Sequence, residues 1–158
     1  MAAADRSRAL RAAAAVAVLP HELAHALPAA AAGLRPEITV LPAYEGDATP
    51  LGRFDADLDS ETPAWVVRLV AVAPLLVYLS AAVGLRLAVA PSGAAAVAAL
   101  AACAYWGSLS AGDVGVAAAP SEALSAGRFA AGVSRRVRLT ADLVTVGNTL
   151  LMAAVLLV

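Results

Sequence analysis

The chain has 158 residues, 61% of them hydrophobic and 15% charged, with a formal net charge of −1 and a mean hydropathy of +0.79. So large an apolar excess over ordinary soluble domains excludes a conventional water-soluble fold, and the near-neutral charge offers nothing to a nucleic acid. The 11 basic residues are all arginines, and the single Cys103 has no partner for an internal disulfide.

Taken in chain order, the first apolar segment covers residues 10–34, with Gly33 as its stop. Arg6, Arg8 and Arg11 followed by an Ala/Val run imitate a signal peptide. Pro20, His21, Glu22 and His25 interrupt that run where a cleavage region would begin, so the segment reads as a retained helix. A polar stretch, residues 35–63, follows. Within it Glu37, Ile38, Thr39, Val40 and Leu41 form a β-prone run, Gly46, Asp47, Pro50 and Gly52 are turn signals, and residues 53–58 alternate polar with apolar. A small β-hairpin at the membrane surface is expected there.

The second apolar segment, residues 64–87, opens after Pro63 and contains Pro74, a kink that neighbouring helices can compensate. The third covers residues 92–110. Beyond it, Ser121 and Glu122 suggest the cap of a short interfacial helix running to Phe129, and Arg135, Arg136 and Arg138 form a basic collar ahead of a fourth segment, residues 139–158. The expected fold is an all-α, multi-pass membrane protein of the cell membrane. It is a single domain over residues 1–158, with about four transmembrane helices and a hairpin-like loop between the first two. Arginines in the loops after the first and third segments favour a cytoplasmic placement of those loops, while the N-terminal cluster argues the other way.

The informative feature is HELAH at residues 21–25. Helical residues four apart share a face, so His21 and His25 can reach one metal ion. Imidazole is a preferred zinc ligand, and Glu22 is placed to take a proton from a zinc-bound water. The motif holds both histidines of the chain and one of its five glutamates. Three ionisable residues within five positions of a membrane helix are costly, which argues against a purely structural role. One protein ligand is still missing. Asp113, flanked by Gly112 and Gly115 at the end of the third segment, is the leading candidate; Asp142 and Asn148 are the runners-up. Asp142 could instead pair with the arginine collar, and Asn148 could be an interhelical hydrogen-bonder. A break in the third segment would draw Asp113 in towards the histidines.

These features together resemble the site-2-protease class of intramembrane metalloproteases: HExxH in the first membrane helix, a β-like segment, two further spans and a glycine-flanked aspartate. The HELAHAL run, the loop with Tyr44, Pro50 and Leu51, the run Ala73, Pro74, Leu75 and Leu76, and the Ser-x-Gly-Asp segment ending at Asp113 more closely resemble the short zincin-type peptidases related to that class. The resemblance covers about residues 21–113. It implies Zn2+ held by His21, His25 and Asp113, Glu22 as general base, a site facing the cytoplasm, and hydrolysis of a membrane or membrane-proximal protein or peptide substrate in the lipid bilayer. The Asn-x-x-Pro…Leu-Asp-Gly pattern of the larger relatives is absent, and so is a PDZ-type domain, which leaves substrate gating to residues 35–63 or a partner. By analogy, residues 37–41 would hold an extended substrate by strand addition. The alternatives are a non-catalytic metal-binding or transport protein using the same histidines, and a structural scaffold with an empty site.

Overall fold

A computed structural model describes residues 2–42 and 51–158, with side chains from residue 9 onward. The fold is mostly helical, in the order α1 (Ala2–Ala31), β1 (Pro36–Val40), β2 (Gly52–Ala56), α2 (Ala64–Ala88), α3 (Gly93–Trp106), α4 (Ala111–Ala118), α5 (Pro120–Ala126) and α6 (Arg135–Leu157). Tyr44, Gly46, Asp47 and Pro50 lie outside the described residues.

Helix α1 ends as expected at Gly33, whose φ of 81° lets the Leu34 N–H turn back to the Ala29 carbonyl at 3.0 Å. The chain then forms an antiparallel pair in which Ile38 faces Phe54 and Val40 faces Gly52. Both strands start one residue before the sequence pattern suggests, and β1 ends at Val40 because Leu41, at φ 53°, has left extended geometry. Alternation puts Phe54 and Ala56 on the buried face, where they pack with Ala29, Val66 and Val70 of α1 and α2. The hairpin therefore lies over the end of the helix pair that carries the histidines.

Among the described residues, α2 and α6 are long and apolar enough to cross a membrane. The pair α3 and α4, bent by 54°, makes a third when counted as one span. That is two or three spans by length and composition, against the four expected. Helix α1 has 30 residues, but Pro20, His21, Glu22 and His25 in its second half dilute its apolarity.

The expected third segment is broken. Helix α3 stops at Gly107, where a Cβ would lie 2.7 Å from the Cys103 carbonyl oxygen and 2.9 Å from Met152 Cε. The chain restarts at Ser110, which caps α4. Asp113 thus opens α4 rather than closing α3. The short helix after it is α5, with Pro120 at its start and Gly127 (φ 65°) at its end, so Ser121 lies inside it and does not cap it. Helix α6 begins with the arginine collar in its first turn, capped by the Ser134 side chain accepting from the Val137 N–H.

Candidate metal centre

Both histidines project from one face of α1, their ring centroids 4.8 Å apart. The His21 Nδ1–H donates to the Trp106 carbonyl at 2.9 Å, and the His25 Nδ1–H to the Val70 carbonyl at 2.7 Å. A carbonyl can only accept, so each Nδ1 carries a proton, and in the neutral form of each ring Nε2 is the free lone pair. The two Nε2 atoms face each other at 3.2 Å. Asp113 completes the convergence: Oδ1 is 3.3 Å from His25 Nε2, and Oδ2 is 3.6 Å from His21 Nε2.

Three potential donor atoms at these separations call for positive charge among them, either a proton shared with Asp113 or a metal cation. Zinc bonds of about 2.0–2.1 Å in a tetrahedral arrangement put neighbouring ligand atoms about 3.3 Å apart, close to the three distances found. His21, Glu22 and His25 also offer donor atoms within 4.8 Å of one another, a group that could hold a metal ion. Glu22, His25 and Asp113 are all buried. Two buried carboxylates beside two neutral imidazoles carry a charge that a divalent ion balances. The donor set fits such an ion.

Each of the converging side chains is held by a distinct local device. Asp113 sits in a reciprocal cap, its Oδ2 accepting from the Ser110 N–H at 2.7 Å while its own N–H donates to Ser110 Oγ at 3.1 Å. The aspartate's role at a helix end and its approach to the histidines therefore coexist. The indole N–H of Trp106 donates to the Ala17 carbonyl of α1 at 2.9 Å, docking the broken end of α3 one turn before His21. His25 stacks on Phe54, centroids 5.3 Å apart, and Phe129 packs edge-on against Phe54 at 5.0 Å.

A cleft of about 780 Å³ opens beside this cluster, lined by His21, Glu22 and Asp113 and walled by residues of β2, the α3–α4 break and the segment before α6. Gly52 of β2 is the closest approach: a Cβ there would lie 2.7 Å from Val18 Cγ2 and 2.8 Å from Glu22 Oε1. Strand β1, which the resemblance pointed to as the substrate-holding edge, does not line the cleft among the described residues; Leu51, Gly52, Arg53 and Phe54 do.

The structure thus brings His21, Glu22, His25 and Asp113 together and leaves the runners-up outside. Asp142 is exposed on α6 and makes no ion pair with the arginine collar among the described residues. Asn148 is an interhelical hydrogen-bonder, its Nδ2 donating to the Gly107 carbonyl at 3.2 Å. Sequence reasoning missed the Val70 and Trp106 carbonyls, since a backbone acceptor has no residue signature, and it missed Ser110 and Gly52. The Ser-x-x-Asp spacing at Ser110 and Asp113 was a usable capping signal. Comparison with protein-family models, with curated proteins and with solved structures gives no match.

Proposed function

We propose that the chain is a membrane-embedded zinc metalloprotease of the site-2-protease type, hydrolysing peptide bonds of membrane or membrane-proximal proteins. The observation that carries this reading is the convergence of two Nε2 atoms and the Asp113 carboxylate beside a cleft that Glu22 also lines. In this reading α1 crosses the bilayer with α2, the bent α3–α4 pair and α6, giving four passes, and its polar cluster faces the cleft.

His21, His25 and Asp113 would hold the metal. When bound, zinc supplies a Lewis acid that acidifies a water and polarises a carbonyl. Glu22 takes a proton from the attacking water as its oxygen bonds to the scissile carbon. It returns that proton to the amine nitrogen as the C–N bond breaks. The Gly52 backbone lies against Glu22, and the adjoining strand gives an extended substrate a surface along the cleft.

The test is to purify the protein in detergent, measure bound zinc and assay peptidase activity for wild type, Glu22→Gln and Asp113→Ala. Glu22→Gln is expected to keep its zinc and lose activity by about 10²- to 10⁴-fold, whereas Asp113→Ala binds zinc more weakly. Well-folded wild type with sub-stoichiometric zinc would sink the metalloenzyme reading. Full zinc occupancy with undiminished activity in Glu22→Gln would remove Glu22 from its role.

A further inference from the structure

Both histidines are anchored through carbonyls that have lost their ordinary helical partner. In an α-helix the carbonyl of residue i accepts from the N–H of residue i+4. For Trp106 that donor would be Ser110, but the Ser110 N–H is diverted to Asp113 Oδ2 at 2.7 Å, and the Trp106 carbonyl turns to His21. For Val70 the donor would be Pro74, which lies inside α2 and has no N–H. A proline ring also crowds the carbonyl four residues back and tilts it off the helix axis. The Val70 carbonyl is fully buried between α1 and α2 and accepts instead from His25 Nδ1–H at 2.7 Å, the shorter of the two anchors.

A proline in the middle of a 25-residue helix is unfavourable for the helix alone. Here the defect coincides with the acceptor that one metal-ligand candidate needs. We propose that Pro74 is a positioning residue of the metal centre: its missing N–H reserves the Val70 carbonyl for His25, which keeps the His25 Nε2 bare and aimed at His21 and Asp113. This rests on the metal-centre reading above. The role is separable from packing because the two predict opposite relations between stability and affinity. Any other residue at this position restores a competing N–H donor to the Val70 carbonyl and mends the helix.

The experiment compares wild type with Pro74→Ala and with Pro74→Val, which refills the buried volume of the ring. Zinc affinity is read by competition with a chromogenic chelator, and melting temperature is read on the metal-free protein. Affinity is expected to fall about tenfold or more, the scale for losing a partner that orients a ligand, with a melting temperature equal to or above that of wild type. Imidazole ¹⁵N spectra of the metal-free protein supply a readout that needs no variant: His25 of wild type must show the Nδ1–H tautomer. In the variants the His25 signal shifts while that of His21, anchored elsewhere, stays.

Unchanged affinity in a folded variant overturns the proposal, as does an affinity loss that merely follows a lowered melting temperature. If neither variant folds, a wild-type His25 with its proton on Nε2 overturns it and one with its proton on Nδ1 supports it. Wild type that takes up no zinc defeats the metal-centre reading itself, a result distinct from wild type and Pro74→Ala binding zinc alike.

Discussion

At the scale of single residues, the site depends on how closely β2 approaches α1. Gly52 has ordinary backbone geometry, so its role is space: a Cβ would meet Val18 Cγ2 at 2.7 Å and Glu22 Oε1 at 2.8 Å. The carboxylate end is the more mobile of these neighbours. In Gly52→Ala it is displaced first, which on the proposed function would take Glu22 away from the position of a general base. On the proposed function, Gly52→Ala should lower kcat by about 10- to 100-fold, the usual cost of misplacing a catalytic group by a fraction of an ångström to an ångström. Stability should fall by only about 1 kcal/mol, and bound zinc should stay at the wild-type level, because the nearest atoms that a Cβ at Gly52 meets belong to Val18 and Glu22 and not to His21, His25 or Asp113. Measuring kcat, zinc content and melting temperature on the same preparation checks all three. Zinc loss in Gly52→Ala would show instead that β2 supports the ligands directly.

At the scale of elements, the break between α3 and α4 does most to assemble the cluster. It frees the Trp106 carbonyl for His21, lets Asn148 of α6 grip the Gly107 carbonyl, and starts α4 at a cap containing Asp113. Ser110→Ala removes the hydroxyl that accepts from the Asp113 N–H. It should cost about 1 kcal/mol, as lost N-caps do, and fray the turn that aims the carboxylate. Zinc should then bind several-fold more weakly, by chelator competition, in a protein that still folds; wild-type affinity in Ser110→Ala would mean that the Ser110 N–H alone orients Asp113. How far these elements were legible follows from the kind of signal each carries. HELAH was readable because i, i+4 spacing converts directly into a shared helix face. The hairpin was readable because alternation of Arg53, Phe54, Asp55 and Ala56 is a two-residue period. The break at Gly107 was legible in kind but not in place: no proline marks it, and the Met152 and Tyr78 side chains that crowd Gly107 are distant in sequence. The third segment therefore appears as the bent α3–α4 pair, and the short α4 and α5 were only partly anticipated. Pro74 was visible from the outset, but its meaning required knowing that His25 lies beside Val70.

At the scale of the whole molecule, the cluster is a junction as well as a site. His21 and His25 belong to α1, Asp113 to α4, and the carbonyls behind the histidines to α3 and α2. On the proposed function, a divalent ion held by His21, His25 and Asp113 would link α1 to α4 directly and press α1 onto α2 and α3 through the anchored rings. An ion that binds the folded chain and not the unfolded one stabilises it by mass action, about 2.7 kcal/mol at a free concentration one hundred times Kd. For a chain of this length 1 kcal/mol corresponds to about 2–4 °C, so wild type in detergent with zinc present should melt about 5–10 °C higher than after chelation. Glu22→Gln, which leaves all three ligands in place, should show the same shift. Asp113→Ala should show little, because it removes the ligand that α4 contributes. Unfolding in detergent is commonly irreversible, so scan rates must be matched, or half-lives at one temperature compared. Zinc-loaded and metal-free wild type melting together, with metal removal verified, would show that the helices are held by packing alone. A full shift in Asp113→Ala would mean that the ion is held by His21, Glu22 and His25 within α1, and that Asp113 serves only the α4 cap.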